Sequence, residues 1–340
     1  MSHTIPAPSH TPGAAPGSIL VVGSSNTDMV VKTKALPGPG QTVLGGAFFM
    51  NSGGKGANQA VAAARLQGIA NGQGKAAGPE TEGTARSKVT FITKLGTDIF
   101  GAQTKEQLIK EGIDPRYILA DAKAPSGVAL ITVDEKGENS IVVAPGANAH
   151  LSADDIEAAH DAIEAAAIIL VQLEIPLETV TALVGRAVIH NKPVILNPAP
   201  ARSLPEELLR QITILTPNEK EAELLTGIPV SDIASATAAA NALQKRGVQT
   251  VIITLGKNGA LVHSDTTSIH LPAPPVDALD TTAAGDVFNG ALATALAENK
   301  SMREAAVFAN YAAALSVTRL GAQSSAPTKA EVEAFMQARP

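Results

Sequence analysis

In the segment 280–290, the carboxylate of Asp286 stands directly behind small residues, where an apolar helix is predicted to begin. Ala284 and Gly285 lack bulk, so a phosphate could approach their backbone N–H groups, and the positive end of the helix favours an anion there. Asp286 would lie beside that anion as a base, because a carboxylate within reach of a hydroxyl can remove its proton while the oxygen attacks phosphorus. These residue types indicate phosphoryl transfer to an alcohol.

The same segment has an ordinary structural interpretation. Aspartate is a favoured N-cap residue, and glycine often precedes helices for backbone reasons. From this segment alone, capping and catalysis stay open as alternatives, and the choice depends on the other polar residues of the chain.

Asn26 and Asp28 follow the first predicted strand, at the edge where open α/β sheets bind ligands. An ionised aspartate accepts hydrogen bonds from two adjacent hydroxyl groups, whereas asparagine both donates and accepts, so the pair suits a polyol. A turn with the pattern N-x-D is the alternative, since both residue types are common in turns.

Three further segments combine glycine or a helix cap with polar residues. In 51–60, three glycines precede an alanine-rich helix and would leave its first N–H groups open to a small polar ligand, although simple turn chemistry also explains them. Asn218 and Glu221 have the N-x-x-E spacing of a capping box. Segment 254–259 joins a strand to a probable second strand, and its glycines permit either a tight turn around a ligand or a plain hairpin.

Composition and missing motifs exclude several classes of protein. The 340 residues are 45% hydrophobic and 17% charged, which is enough to bury a large core. The net charge of −6 argues against nucleic acid or an acidic membrane surface as a partner. The chain has no cysteine, which fits a reducing compartment such as the cytoplasm. A Walker P-loop, a dinucleotide fingerprint, a histidine metal motif and a G-x-S-x-G elbow are all missing from the sequence.

Short β-branched runs alternate with longer apolar-periodic segments, which predicts an α/β fold with a mainly parallel sheet between helices. The predicted strands are Ile19 to Val22, Val89 to Ile92, Ile168 to Val171, Val194 to Leu196, Ile212 to Leu215 and Val251 to Thr254. The predicted helices are Ala57 to Leu66, Thr104 to Glu111, Asp154 to Ala166, Leu177 to Ile189, Glu219 to Leu225, Ala236 to Arg246, Ala284 to Leu296 and Met302 to Val317.

Four regions depart from this alternation. Residues 28–50 and 127–144 alternate polar and apolar positions around turn residues, which predicts antiparallel hairpins that form a small separate sheet. Such a sheet would serve as a lid or a dimer contact, and two ordinary surface hairpins are the alternative. Residues 1–17 are predicted to be a disordered tail, and 71–87 a flexible surface insert.

The segment around Asp286 resembles the C-terminal signature of the PfkB carbohydrate kinase family, and its alanine-alanine-glycine-aspartate form is most similar to the ribose-phosphorylating branch. Segment 51–60 resembles the family's N-terminal signature, and 95–101 resembles its G-x-D-x-x-G segment. The resemblance runs from about Ser18 to Phe335 and is interrupted by the insert. It implies a domain of residues 18–335 in which the small sheet closes over the sugar and pairs with a second subunit.

The resemblance also implies roles for individual residues. The implied sugar contacts, besides Asn26, Asp28 and Asp286, are Gly54, Lys55, Asn58 and Glu174. The implied nucleotide-side residues are Asn218, Thr254, Gly256, Lys257, Gly259, Gly285 and Asn310. Glu221 would act on Mg²⁺ through water, because magnesium usually keeps several waters. A K⁺ ion would be enclosed by Asp280, Thr282, Ser316, Arg319, Gly321 and Ser325, mostly through main-chain oxygens, whereas a helix C-cap at Gly321 is the alternative.

The expected function is ATP-dependent phosphorylation of D-ribose at O5, with Asp286 as general base. A family member that acts on deoxyribose, fructose or a nucleoside is one alternative. A sugar-binding regulator without catalysis is another, and the intact Asp286, Gly285 and N-x-x-E residues speak against it.

Overall fold

The computed structural model describes residues 17–68 and 88–339. The predicted tail, apart from Gly17, and the predicted insert 71–87 lie outside the described residues. Within these residues no helix is long and apolar enough to cross a membrane.

The strands are β1 (Ile19–Val22), β2 (Asn26–Lys32), β3 (Ala47–Gly53), β4 (Val89–Gly96), β5 (Ile118–Asp121), β6 (Gly127–Val133), β7 (Asn139–Ala144), β8 (Ile168–Val171), β9 (Val194–Leu196), β10 (Ile214–Leu215), β11 (Thr250–Thr254), β12 (Ala260–Ser264) and β13 (Thr267–Leu271). The helices are α1 (Lys55–Leu66), α2 (Ile99–Lys110), α3 (Ala153–Ala158), α4 (His160–Ala165), α5 (Leu177–Ile189), α6 (Glu206–Leu209), α7 (Glu219–Thr226), α8 (Ile233–Lys245), α9 (Ala284–Ala297), α10 (Met302–Ser316) and α11 (Lys329–Ala338).

The large sheet has nine strands in the order β13-β12-β11-β10-β9-β8-β1-β4-β5. Its strands from β11 to β5 pair in parallel, whereas β12 and β13 are antiparallel additions at one edge. All four residues of β1 and all four of β8 are buried, as strands covered by helices on both faces must be. Two apolar clusters fill the two faces of this sheet, which confirms the predicted α/β architecture.

The predicted hairpins form a separate four-stranded sheet in the order β3-β2-β6-β7. Each hairpin is antiparallel, and β2 and β6 join them in parallel register. Side chains alternate across this sheet, so Asp28 and Val30 point to the face opposite Met29 and Val31. We call the face that carries Met29 and Val31 the outer face of the small sheet.

Several element boundaries differ from the predictions. α2 begins five residues before the predicted Thr104, because the Asp98 side chain accepts a hydrogen bond from the Gly101 N–H and caps the helix. The helix predicted at 154–166 is divided at Ala159 into α3 and α4, although neither glycine nor proline marks that position. β5, β13 and α11 were not predicted.

Candidate active site

Asp286 lies in the first turn of α9, and the packing of α9 against α1 sets its position. The two helices approach closely because the contact uses small residues: a Cβ added to Gly290 would lie 2.8 Å from the Ala62 Cβ and from the Gln59 carbonyl oxygen. The residue before α9, Ala283, has a left-handed backbone with a φ of 59°. This geometry directs the start of α9 toward the polar residues that follow β1, β8 and β10.

Two side-chain amides on α1 hold the Asp286 carboxylate. Asn58 Nδ2 donates to its Oδ2 and Gln59 Nε2 donates to its Oδ1, both at 2.9 Å. Asp286 is 6% exposed, and this burial raises the pKa of its carboxyl group, against the lowering effects of Lys55 and the two amides. A carboxylate with a raised pKa and fixed oxygens is suited to accept a proton from an alcohol.

Free backbone donors lie at the start of α9. The Ala284 N–H donates to the Thr281 carbonyl at 3.3 Å, so it is not open to a ligand as the sequence suggested. The N–H groups of Gly285 and Asp286 have no partner within the described residues, and Gly285 is exposed. These two donors, at the positive end of a 14-residue helix, can receive an anion.

Asn26 and Asp28 lie in strand β2 of the small sheet and not in a turn. Asn26 Oδ1 accepts from Asn148 Nδ2 at 2.8 Å, which leaves the Asn26 amide hydrogens for another partner. Burial, together with the nearby charges of Glu174 and Asp286, raises the pKa of Asp28 to about 7. Asp28 is therefore poised between its acid and ionised forms near neutral pH.

Glu174 follows β8 and caps α1. Its Oε2 accepts from Ser24 Oγ at 2.5 Å and from the Lys55 N–H at 3.0 Å. The next two donors are also bonded to Ser24, the Gly56 N–H to its Oγ at 3.5 Å and the Ala57 N–H to its carbonyl at 2.9 Å. The expectation that the first N–H groups of α1 are open to a ligand is therefore wrong, because Glu174 and Ser24 occupy them.

The Lys55 side chain is the cation among the carboxylates of this site. Burial alone would lower its pKa, but the charges of Asp286, Glu174, Glu221 and Asp28 outweigh burial and raise it. The four carboxylates therefore lie within electrostatic range of Lys55, although the five side chains come from five different elements or loops. The Gly54 residue before Lys55 has a φ of 85°, and a Cβ there would lie 2.7 Å from the Asn26 nitrogen.

Asn218 and Glu221 form the predicted capping box at the start of α7. Glu221 Oε2 accepts from the Asn218 N–H at 2.9 Å, and Asn218 Oδ1 accepts from the Glu221 N–H at 2.9 Å. Burial raises the pKa of Glu221. The described residues contain no group of three or more acidic, histidine or cysteine side chains that could hold a metal. A divalent ion here would therefore take most of its ligands from phosphate and water, as magnesium commonly does.

Six of the predicted nucleotide-side residues form a strip around the end of β11, and the seventh, Gly285, lies at the start of α9. Thr254 forms an isolated bridge with Asn218, and the loop that holds Gly256 and Lys257 is exposed. Gly259 has a φ of 92°, and a Cβ there would clash with the backbone around Leu271. The buried Asn310 amide donates to the Leu271 carbonyl at 3.0 Å, so Asn310 holds the end of β13 beside this loop.

Most of the predicted cation residues belong to two loops that Asp280 ties together, while Ser316 is the last residue of α10. Its Oδ1 accepts from the Thr282 N–H and its Oδ2 from the Gly321 N–H, both at 2.9 Å. Burial would raise the pKa of Asp280, but these hydrogen bonds outweigh it and lower the pKa. The Arg319 guanidinium is paired with Glu331 at 2.7 Å. The side chain of Arg319 is therefore directed to Glu331, and only its main-chain carbonyl is a candidate cation ligand.

The hydroxyls of Ser316 and Ser325 are buried. Ser316 Oγ donates to the Ala313 carbonyl in the last turn of α10, and Ser325 Oγ donates to the Ala322 carbonyl in the loop that follows. Their oxygens therefore keep lone pairs for a further contact. The Ser316 carbonyl accepts from the Arg319 N–H at 3.0 Å, which occupies one of its own lone pairs.

Four functional residues were missed by sequence reasoning: Gln59, Asn148, Asn197 and Asn289. Gln59 contacts Asp286 across 227 positions, and Asn148 contacts Asn26 across 122 positions. The sequence offered one signal for Gln59, because this amide residue directly follows Asn58, a predicted site residue. Asn148 and Asn197 lie in segments that carry no recognisable motif, so there was no reason in the sequence to place them at the site.

Comparison with known proteins decides the family. The family model described as pfkB family carbohydrate kinase matches residues 17–329. The protein belongs to the PfkB family of carbohydrate kinases.

Several characterised PfkB proteins resemble the chain over nearly its full length. A ribokinase from Haemophilus influenzae is 43% identical over 320 residues, which covers 94% of this chain and 98% of the relative. A deoxyribokinase from Salmonella typhi is 38% identical over 311 residues, which covers 91% of this chain and 95% of the relative. A solved ribokinase from Arabidopsis thaliana, complexed with ribose and ATP, has a TM-score of 0.82 and 32% identity, covering 95% of this chain and 99% of that one.

Proposed function

We propose that the protein is an ATP-dependent ribokinase that transfers the γ-phosphoryl group of ATP to O5 of D-ribose. The observation that carries this proposal is the arrangement at α9, where both oxygens of the buried Asp286 carboxylate are held by amides. Beside it are the N–H groups of Gly285 and Asp286, which have no partner in the part of the chain that the structure describes. Full-length similarity to ribokinases supports the choice of sugar.

The proposed reaction uses Asp286 as a general base. Asp286 takes the proton of the ribose O5 hydroxyl while the O5–phosphorus bond forms and the bond from phosphorus to the leaving ADP oxygen breaks. The free N–H groups at the start of α9 stabilise the charge on the moving phosphoryl group. Mg²⁺, when bound with ATP, would neutralise phosphate charge, and Glu221 would hold it through water.

Ribose is proposed to bind between the large sheet and the inner face of the small sheet. Asn26, Asp28, Gly54, Lys55, Asn58 and Glu174 are the proposed contacts. Asn58 supports this placement, because its Oδ1 is buried without a hydrogen-bond partner within the described residues while its Nδ2 holds Asp286. An unpaired buried acceptor is costly, and a sugar hydroxyl would satisfy it. ATP would lie along the strip from Asn218 to Asn310.

Steady-state kinetics across a sugar panel test this proposal. The panel contains D-ribose, 2-deoxy-D-ribose, D-fructose and adenosine, and the assay couples ADP release to NADH oxidation. We expect the highest kcat/KM with ribose. Deoxyribose is the second candidate, because deoxyribokinases are among the 38% identical relatives. A higher kcat/KM for deoxyribose would overturn the assignment, and a lack of ADP release with every sugar would favour a non-catalytic binding protein.

Gly53→Ala is expected to raise the KM for ribose at least about tenfold with a smaller change in kcat. A Cβ at Gly53 would overlap the Asp28 carboxylate, which must then move from its place facing the sugar, and one lost hydrogen bond to a charged group corresponds to roughly that factor. Gly185→Ala in α5 is the control, since a Cβ there meets nothing within 4 Å. An unchanged ribose KM in Gly53→Ala would contradict the placement of Asp28 at the sugar.

We propose that K⁺ activates the enzyme by binding between the two loops that Asp280 joins. Thr282, Ser316, Arg319, Gly321 and Ser325 are the other proposed contributors. We expect kcat to be several-fold higher in potassium chloride than in tetramethylammonium chloride at equal ionic strength, and Asp280→Ala to lose that difference. Equal wild-type rates in the two salts would reject potassium activation, while leaving the kinase activity itself unaffected.

We propose that the outer face of the small sheet pairs with a second copy of this chain. Large apolar residues there are exposed: Phe48 is 61% exposed, Leu130 55% and Val142 63%. Their strands are in register, so these side chains form one continuous apolar surface. Sedimentation analysis is expected to give a homodimer, and Leu130→Glu a monomer. The proposed enzyme acts in the cytoplasm.

A further inference from the structure

Gln59 is fully buried, and its side-chain amide makes three hydrogen bonds. Its Nε2 donates to Asp286 Oδ1 at 2.9 Å and to Asn197 Oδ1 at 3.1 Å, while its Oε1 accepts from Gln172 Nε2 at 2.5 Å. A reversed amide would place its oxygen against a carboxylate and its nitrogen against another donor. The surroundings therefore allow one orientation of the Gln59 amide.

The hydrogen bonds continue behind Gln59 and return to Asp286. Asn197 Nδ2 donates to the Thr216 carbonyl at 3.2 Å, and Thr216 Oγ1 donates to Asn289 Oδ1 at 2.7 Å. Asn289 Nδ2 then donates to the Gly285 carbonyl at 2.8 Å. That carbonyl belongs to the same planar peptide as the Asp286 N–H. The series of hydrogen bonds thus begins at the Asp286 side chain and ends at the peptide group between Gly285 and Asp286.

We propose that Gln59 is a positioning residue for the phosphoryl transfer, which holds the Asp286 carboxylate in one orientation and links it to the peptide that presents the Asp286 N–H. The inference rests on the proposed function of Asp286. Gln59 is 0% exposed, so it does not meet a reactant and acts through Asp286. Asn58 differs, because it is 8% exposed and has a free oxygen.

The charged groups around Asp286 are independent of Gln59. Lys55 on α1 lowers the pKa of Asp286 and Glu174 after β8 raises it, while Asp28 on β2 and Glu221 on α7 also lie within range. None of these side chains is hydrogen-bonded to Gln59 in the described residues. Replacing Gln59 with a neutral side chain therefore removes one donor to Asp286 and leaves the surrounding charges in place.

The pH dependence of kcat in Gln59→Met tests the proposal. Methionine has a similar length and shape but no donor, so Asp286 loses the hydrogen bond that favours its ionised form. We expect the acid limb of the kcat profile to move to higher pH by about one unit or more, the size of one hydrogen bond to a charged group. We expect kcat at pH 7 to fall by roughly ten- to a hundredfold, with the ribose KM changed less than about threefold.

Gln59→Glu is the second variant, in case the methionine variant folds poorly. It keeps the acceptor for Gln172, removes the amide donors and places a second carboxyl group against Asp286, so the shift in the kcat profile is expected to be larger because two like charges would meet there. Thr93→Val is the control, because the Thr93 hydroxyl is also buried but has no hydrogen-bond partner in the described residues. We expect this variant to have the kcat profile of the wild type.

Three results would overturn the role of Gln59 while the wild type remains an active ribose kinase. They are a kcat profile that superimposes on the wild type, a raised ribose KM with unchanged kcat, and a lower melting temperature with unchanged kinetics. A wild-type protein that does not phosphorylate ribose would instead overturn the proposed function.

Discussion

In Asp286→Asn we expect kcat with ribose to fall by roughly 10²- to 10⁴-fold, because the amide cannot accept the proton of the O5 hydroxyl. The dissociation constants of ribose and MgATP are expected to change little, since asparagine has the same shape. One of the two donors, Asn58 or Gln59, would face the new amide nitrogen, so a small loss of stability is also expected. Single-turnover kinetics and isothermal titration calorimetry separate these effects.

Asp154→Asn is the matched control for this substitution. Asp154 is an exposed aspartate in the first turn of α3 and is not among the proposed site residues, so the same chemical change occurs at a helix start without a proposed reactant contact. We expect its kinetics to match the wild type. A near-normal kcat in Asp286→Asn would refute its role as base, and a loss of ribose binding in parallel with kcat would assign it to binding instead.

In Asp28→Asn we expect kcat/KM for ribose to fall by about a hundredfold, mainly through KM. An ionised carboxylate can accept from two neighbouring hydroxyls through charge-assisted hydrogen bonds, and the neutral amide loses roughly the strength of one of them. Asp134→Asn is the control, because Asp134 lies in the same sheet at the turn between β6 and β7, where its Oδ1 accepts from two backbone N–H groups. If the ribose KM is the same in Asp28→Asn and Asp134→Asn, Asp28 does not bind the sugar.

The raised pKa of Asp28, about 7, gives this variant a pH signature. The wild-type kcat/KM is expected to rise with pH and to level off above about 7, because the free enzyme must ionise Asp28 to accept the sugar hydroxyls. That limb should disappear in Asp28→Asn. A limb that persists there would belong to another group, and Asp286 would be the first to test.

The same pKa predicts that Asp28→Asn stabilises the free protein at alkaline pH. The pKa of Asp28 is near its ordinary value of 3.8 in the unfolded chain and about 7 in the folded protein, so the native state loses stability as pH rises between those values. The shift corresponds to an upper bound of about 4 kcal/mol. Thermal unfolding should show a larger gain in melting temperature at pH 8 than at pH 5, and a gain that is equal at both values would contradict the raised pKa.

Regular, buried elements were predictable from the sequence. The bounds of β1, β8, β9 and α5 agree with their predictions, since each is a dense apolar run with clear ends. The small sheet was also predicted, because its alternation and turn residues differ from the buried runs. Caps were the weakest point: Asp98 moves the start of α2, and the Thr328–Glu331 capping box of α11 was overlooked.

The candidate site was predictable where one short segment carries several of its features. The base, the glycines around it and the capping box of Asn218 and Glu221 could be read locally, and the structure brings their charges together. The supporting amides could not be read in this way. Asn148 meets Asn26, and Asn197 meets Gln59, only because segments that are more than a hundred positions apart in the sequence come together in the fold.

The contact between α1 and α9 has a consequence for how the protein tolerates change. Gly290 and Ala62 leave space for no additional carbon atom, and this narrow seam fixes the separation between the helix that carries the carboxylate and the helix that carries its two amides. Enlarging a side chain there would spread the helices and loosen the base without altering any surface that a reactant touches. Chemical competence in this fold is therefore constrained by residues that have no reactive group.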